Sequence, residues 1–175
     1  TQGTKLGIDF KVIDYNTTGK VSSEVVWNDI KNKLGTSDIS GYGNILLDKE
    51  VKLITVNTGT PVIDGTIDEI WDSIGANETG IWVSGTSGST AMFKTLWADG
   101  KLYVLAEVTD SLLSKASADA YQQDSIEMFI DQDNAKNSYY ESDDYQIRVN
   151  FDNEVSYNPS ELSGFKSATS KTSTG

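Results

Sequence analysis

Alternating apolar and polar side chains, rather than helical spacing, dominate the first half of the chain. Residues 6–12 alternate before a turn rich in Asn, Thr and Gly, and residues 21–27 have the composition of a second strand. A period of two places the apolar side chains on one face of a strand. We therefore predict strands at 6–12, 21–27 and 44–47, with a polar loop over 28–42.

The second half predicts a hairpin. Segments 90–98 and 101–109 alternate on either side of Asp99 and Gly100, a strong turn signal. Helical structure is predicted only as a turn at 67–74 and a short helix within the polar loop 110–123, and no strand is predicted after Phe165. We therefore predict an all-β fold.

Two further strands, 125–131 and 145–152, are predicted to pair antiparallel. One register gives a face with only apolar or aromatic pairs, as a buried face requires. Those pairs are Ile126–Val149, Met128–Ile147 and Ile130–Tyr145. On the opposite face Glu127 meets Arg148, beside the pair Phe129–Gln146. Registers shifted by two residues would keep the same faces.

The composition of the chain limits the kinds of functional site that it can form. The chain has 175 residues, 26 acidic and 14 basic, a net charge of −12, and neither His nor Cys. Ser-His-Asp and Cys-His nucleophiles, His-ligated or thiolate metals and disulfides are therefore excluded. The charge makes nucleic acid and anionic membranes poor partners. Hard cations and neutral ligands such as sugars remain.

No apolar run approaches the ~20 residues of a membrane-spanning helix, so no membrane insertion is expected. We expect both ends to lie within a longer polypeptide. The acidic composition, rich in Ser, Thr, Asn and Gly, fits an exported bacterial protein.

Glu127 and Arg148 are the first candidate site. A carboxylate acceptor and a fork-shaped donor can grip sugar hydroxyls from two sides. The alternative is an ion pair on a solvated sheet face, which contributes well under ~1 kcal/mol. Residue types alone favour this alternative. Tyr121 lies in a polar loop and is expected to be exposed, where its ring could stack on a sugar.

An acidic loop is the candidate metal site. Its carboxylates are Asp131, Asp133, Glu141, Asp143 and Asp144. They suit calcium, which would relieve their mutual repulsion, or they form a solvated loop. The loop lacks the glycine and the final glutamate of an EF-hand. Since the acids sit mostly in one loop, their number is no evidence for the spaced acid and nucleophile of a glycosidase, and we expect no catalysis.

Several ordered motifs resemble carbohydrate-binding module family 9. They are the segments 60–71 (TPVIDGTIDEIW), 96–106 (LWADGKLYVLA), 123–131 (QDSIEMFID) and 139–150 (YYESDDYQIRVN). The resemblance implies an antiparallel, jelly-roll-like β-sandwich of the kind found in modular bacterial xylanases. It also implies binding to reducing ends of glucans and xylans, and bound calcium.

The first 50 residues resemble the end of such a module. The order predicts a window across two tandem modules: closing strands at 1–47, a linker at 48–59 and opening strands at 60–175. The alternative is one permuted sandwich over 1–175. The family has one further strand, after the position of Gly175 and before that of Gly3, and this chain contains it at neither place. The permuted sandwich would therefore be incomplete and would have an exposed edge. Pairing with a sister module or a swapped copy is a further possibility.

The resemblance assigns roles unevenly. Glu127 and Arg148 match positions that hydrogen-bond the sugar, which reverses the preference for a solvated ion pair. Tyr121 stands where the family has one tryptophan of an aromatic clamp, and Asn32 matches a hydrogen-bonding asparagine. The second clamp tryptophan has no counterpart, because residues 34–36 are Leu-Gly-Thr.

We therefore predict a non-catalytic sugar-binding module of a secreted or cell-surface bacterial polysaccharide hydrolase, a xylanase, with xylan or cellulose as partner and structural calcium as cofactor. The alternative is a structural or surface module of the same fold that has lost sugar binding. The missing tryptophan favours this alternative.

Overall fold

A computed structural model describes residues 5–29, 39–46, 54 and 56–172. Eleven strands are assigned in this part of the chain. They are β1 Lys5–Tyr15, β2 Val21–Val26, β3 Gly43–Leu46, β4 Asn57–Thr58, β5 Asn77–Glu78, β6 Ile81–Ser84, β7 Thr90–Ala98, β8 Lys101–Thr109, β9 Ser125–Asp131, β10 Asp144–Asn150 and β11 Val155–Asn158. Two short 3-10 helices occupy Glu69–Trp71 and Ala120–Gln122. No described helix is long and apolar enough to cross a membrane.

The strands form two sheets. Sheet A has the order β11-β10-β9-β1-β2-β6, and β3 pairs with the start of β1 beside β2. In sheet B, β7 pairs with β8 on one side and with β4 and β5 on the other. Every pairing is antiparallel except β4–β7. The all-β prediction is confirmed.

Two local predictions are confirmed in detail. β7 and β8 form the predicted hairpin around Asp99 and Gly100. β9 and β10 pair in the predicted register, with Glu127 opposite Arg148 and Met128 opposite Ile147. The face that carries Glu127 is also covered, because Phe129 on that face is fully buried. Sheet A is therefore apolar on one face and partly covered on the other.

The two sheets pack face to face. The rings of Phe10 in β1 and Phe93 in β7 lie 4.0 Å apart, centroid to centroid. The partly buried Leu102, Val104 and Ala106 of β8 pack against the core cluster that contains these two rings. This is the predicted antiparallel β-sandwich.

Strand β1 lies in the middle of sheet A, although it comes from the start of the chain. It pairs with β9 over residues 7–13 and with β2 and β3 on its other side. β2 in turn pairs with β6. The first and second halves of the chain therefore share one sheet.

Strand β8 is an edge of sheet B. Among the described residues, β7 is the only strand that pairs with it. Residues 102–106 are each partly exposed, as expected for an edge strand.

Candidate functional site

The carboxylate of Glu127 and the guanidinium of Arg148 form a buried ion pair on the outer face of sheet A. Oε1 of Glu127 accepts a hydrogen bond from Nε of Arg148 at 2.6 Å. The Glu127 side chain is 1% exposed and that of Arg148 is 12% exposed. The alternative of a solvated surface pair is therefore wrong for this structure.

Other side chains fix the position of this pair. Gln146 donates through Nε2 to Oε2 of Glu127 at 2.9 Å. Nζ of Lys11 lies 3.8 Å from the same oxygen and 3.8 Å from Oε1 of Glu24. Nη1 of Arg148 donates to Oγ of Ser156 at 2.9 Å. Charges of alternating sign, two of them buried and two partly buried, thus run across β2, β1, β9 and β10, which holds the guanidinium in one orientation.

Arg148 lines a cleft of about 200 Å³ between β10, β11 and the loop before β9. Polar side chains of Gln123, Asn150 and Ser156 share the wall with Arg148. Nδ2 of Asn150 donates to Oε1 of Gln123 at 2.9 Å, which ties the loop to the sheet. A guanidinium has five N–H donors. Among the described residues, Arg148 uses two of them, one on Nε to Glu127 and one on Nη1 to Ser156. The remaining donors are suited to hydroxyl oxygens in the cleft.

Tyr121 lies on the 3-10 helix beside this cleft and is 54% exposed, as predicted. The hydroxyl of Tyr15 donates to the backbone oxygen of Tyr121 at 2.5 Å. Burial, followed by the charges of Glu24 and Glu127, raises the pKa of Tyr15 to about 12, so its hydroxyl stays a donor. Asn32 and residues 34–36 lie outside the described residues.

Three of the five predicted metal ligands come together. Each of Asp133, Glu141 and Asp143 offers a carboxylate oxygen, and these oxygens lie within 4.8 Å of one another. The group is partly exposed, and Nδ2 of Asn137 donates to Oε2 of Glu141 at 2.6 Å. An all-oxygen donor set of this kind fits a hard cation such as calcium.

Asp131 and Asp144 are instead buried beneath that loop and bind its backbone. Asp131 accepts N–H groups of Ala135 and Lys136 at 3.1 and 2.9 Å, and Asp144 accepts that of Glu141 at 2.6 Å. Burial is the main cause that raises the pKa of both carboxyls. These two residues therefore shape the loop that carries the other three.

A second carboxylate group was not predicted from the sequence. Oxygens of Asp14, Asp110 and Asp124 lie within 4.8 Å of one another, although the residues come from three separate segments. Burial raises the pKa of Asp124 to about 6, and the charges of Asp110 and Asp14 add to it. Oδ1 and Oδ2 of Asp124 accept N–H groups of Tyr15 and Ser114, so this carboxylate joins the connection between β8 and β9 to β1.

Sequence reasoning missed Lys11 and Ser156 as neighbours of the site, and it placed Gln146 on the same face without giving it a role. Lys11 stands between Phe10 and Val12 in an apolar strand. A lysine in such a strand was the signal that could have indicated a buried charge. Ser156 had no signal, since β11 was not predicted.

The comparisons with known proteins all indicate one family. The family model described as carbohydrate family 9 binding domain-like matches residues 63–175, more than half of the chain. The chain is 50% identical over 176 residues to exoglucanase XynX of Acetivibrio thermocellus, covering all of this chain and 16% of that protein. It is 48% identical over 172 residues to endo-1,4-beta-xylanase A of Thermoanaerobacterium saccharolyticum, covering 98% of this chain and 15% of that protein. The chain thus spans a small part of each relative.

Solved structures agree with the family model. One is a family 9 carbohydrate-binding module from Caldicellulosiruptor kristjanssonii in complex with cellotriose. It is 42% identical with a TM-score of 0.59, and the match covers 62% of this chain and 55% of that one. A module from the same organism in complex with glucose is 39% identical with a TM-score of 0.54, over 61% and 55% of the two chains. The motifs, the sandwich and these matches together place the chain in carbohydrate-binding module family 9.

Proposed function

We propose that the chain is a non-catalytic module that binds xylan or glucan chains for a secreted bacterial polysaccharide hydrolase, a xylanase. Two relatives that carry a similar segment are named as an exoglucanase and a xylanase. Two similar modules were solved with cellotriose and with glucose. A module that holds its enzyme on the polymer raises the effective concentration of substrate.

The observation that carries this proposal is the guanidinium of Arg148, held from below and open to the cleft above. Its outward N–H groups bond sugar hydroxyls. Glu127 acts through Arg148 in this arrangement, because its own carboxylate is covered. For Glu127 to accept a hydrogen bond directly from a sugar hydroxyl, as the family resemblance implies, that cover would have to move.

The ring of Tyr121 supplies the apolar part of the site. Its exposed face stacks on a pyranose ring beside the cleft. Asn32 adds a hydrogen bond to the sugar from the first half of the chain. Because residues 34–36 supply no second aromatic wall, we expect weak binding.

The missing wall also supports a second candidate, a structural or cell-surface module that keeps the fold without binding sugar. The two candidates differ in one outcome only. The second candidate predicts that the folded chain gives no heat of binding with any oligosaccharide.

We further propose that calcium binds at Asp133, Glu141 and Asp143. The three carboxylates would supply the oxygens, and Asp131 and Asp144 would hold the loop from beneath. Calcium would neutralise charge on a loop that the chain crowds with acids. Its role would be structural.

For the domain organisation, we propose a window across two tandem modules, joined by a linker at 48–59. The family model begins at residue 63, and the match to XynX covers the whole chain, which supports this order. Within the isolated chain, 1–47 then completes 60–175 as a permuted sandwich, consistent with the pairing of β1 and β9. A protease site inserted after Lys52 tests this. The two fragments should co-elute after cleavage, and separation would contradict the permuted arrangement.

Calorimetric titration tests the sugar-binding proposal. Xylobiose and cellobiose, with their reduced alditols, are titrated into the chain in calcium-containing buffer. Binding of the sugars alone indicates recognition of reducing ends. Arg148→Ala should abolish measurable binding, and Lys20→Ala, at an exposed turn, should not change it. Unchanged affinity in Arg148→Ala would contradict the site, and silence with every sugar would favour the structural module.

A further inference from the structure

Strand β8 presents an unprotected edge. Within the ranges that the structure describes, it pairs with β7 alone, through nine residue pairs without a bulge. Its exposed edge would offer a row of backbone donors and acceptors to another strand. Natural proteins usually block such an edge with proline, a bulge or an inward-pointing charge, and β8 has none of these. Its only charged residues, Lys101 and Glu107, are exposed near its ends.

The turn before β8 fixes which backbone groups point outward. Asp99 and Gly100 both have positive φ, 50° and 74°, as a two-residue type I′ turn requires. Such a turn is closed by a hydrogen-bonded pair, here Ala98 and Lys101. Because the direction of hydrogen bonding alternates along a strand, the even-numbered residues of 102–108 point their N–H and C=O groups away from β7.

We propose that β8 pairs antiparallel with β8 of a second copy of this chain, so that two copies of sheet B form one continuous sheet. The register centred on Val104 is self-complementary. Its opposed pairs are Lys101–Glu107, Leu102–Ala106, Tyr103–Leu105 and Val104–Val104. Outward-pointing backbone groups then meet outward-pointing groups, and each strand end contributes one pair of opposite charges. A register shifted by two residues loses both charge pairs, so it is less favourable.

The packing of β8 is compatible with this partner. Leu102 and Val104 already contact the core between the sheets, and Tyr103 and Leu105 pack against the cluster around Trp71 on the other face. A second strand would extend both layers of contact and bury the partly exposed side chains. The dimer is expected to be weak, because a strand pair is smaller than a standard interface and each copy carries a charge of −12.

Sedimentation equilibrium of the whole chain tests the proposal. The loading concentration is varied from about 10 µM to about 1 mM, the range in which a dimer with a small interface forms. Measurements use physiological and elevated salt. A monomer–dimer equilibrium is expected. Val104→Pro removes one outward N–H without affecting the bonds to β7, so it should abolish the dimer.

Charge reversal tests the register. Lys101→Glu or Glu107→Lys places like charges opposite each other twice and should weaken dimerisation about tenfold. The double reversal should restore it, while Lys20→Glu, away from β8, should have no specific effect. Circular dichroism checks that each variant is folded. A chain that stays monomeric at the highest loading would overturn the proposal. So would a dimer that Val104→Pro and the single reversals leave unchanged, since another surface would then be in contact.

Discussion

The ring of Phe10, near the start of the chain, packs on the ring of Phe93 at a centroid distance of 4.0 Å and an interplanar angle of 31°. Both side chains are 1% exposed. Trp27 meets each ring edge-on, with centroids 6.4 and 5.8 Å away. The contact between the two sheets thus depends on aromatic residues from both halves of the chain.

Phe93→Ala should therefore lower the free energy of unfolding by about 3–5 kcal/mol, through lost burial and the cavity left behind. Met92→Ala is the control, because Met92 is the preceding residue of β7 and is 40% exposed. It should cost less than ~1 kcal/mol. Urea unfolding measures both variants. Equal effects would contradict the assignment of Phe93 to the central core.

Glu127→Gln should destabilise the fold by roughly 3 kcal/mol, because it leaves the largely buried guanidinium of Arg148 without its counter-charge. Sugar affinity should fall as well, since Arg148 loses its fixed orientation. Glu161→Gln, at an exposed position, serves as the control. Urea unfolding and calorimetry together check the prediction. A variant as stable as the parent chain would show that Glu127 is not buried as described.

Tyr121→Ala should weaken sugar binding about fivefold by removing the stacking surface, and Tyr121→Trp should strengthen it by enlarging that surface. Tyr139→Ala is a matched control, because Tyr139 is 56% exposed and Tyr121 is 54% exposed. Affinities come from the same calorimetric titration. If the two alanine variants weaken binding equally, the loss is not specific to stacking at the cleft.

Chelation of calcium should lower the melting temperature of the chain, because a ligand that binds only the folded state stabilises it. Asp143→Asn should reduce the shift on chelation, and Asp72→Asn, at an exposed position outside the acidic loop, should leave it intact. Differential scanning fluorimetry with and without chelator measures the shift. No shift in the parent chain would contradict the proposed site.

The free energy of unfolding should fall as the pH rises from about 4 to about 7. Burial is the largest cause that raises the pKa of Asp9 from 3.8 to about 7, so the folded state holds this proton where the unfolded state has released it. One such group gives a slope of at most about 1.4 kcal/mol per pH unit. Asp9→Asn should flatten this slope. Urea unfolding at several pH values measures it, and an unchanged slope in the variant would rule out Asp9 as its source.

The sequence predicted the parts of the fold that depend on local patterns. The hairpin β7–β8 follows from Asp99 and Gly100, and the register of β9 and β10 follows from the requirement that one face be apolar. Strands β6 and β11 were missed because each has four residues. The residues of β6 do not alternate, and the alternation in β11 is confined to Val155 and Tyr157.

Long-range pairing was the other limit. Nothing in residues 7–13 specifies β9 as their neighbour, so the contact of Lys11 with Glu127 could not be foreseen. The pair Glu127–Arg148 was predicted because the two residues face each other across one hairpin. Asp14, Asp110 and Asp124 were missed because Asp14 in β1 meets the two ends of the connection between β8 and β9.

The central position of β1 has a consequence for how the chain reaches this fold. The pairing of β1 with β9 joins residues more than a hundred positions apart, for example Ile13 and Ser125. Until β1 and β9 meet, the apolar side chains of β1 lack this partner strand. Folds dominated by such distant contacts form slowly, because loop closure precedes the contacts that reward it. When the isolated chain refolds, it is therefore most prone to aggregation before β1 and β9 have paired.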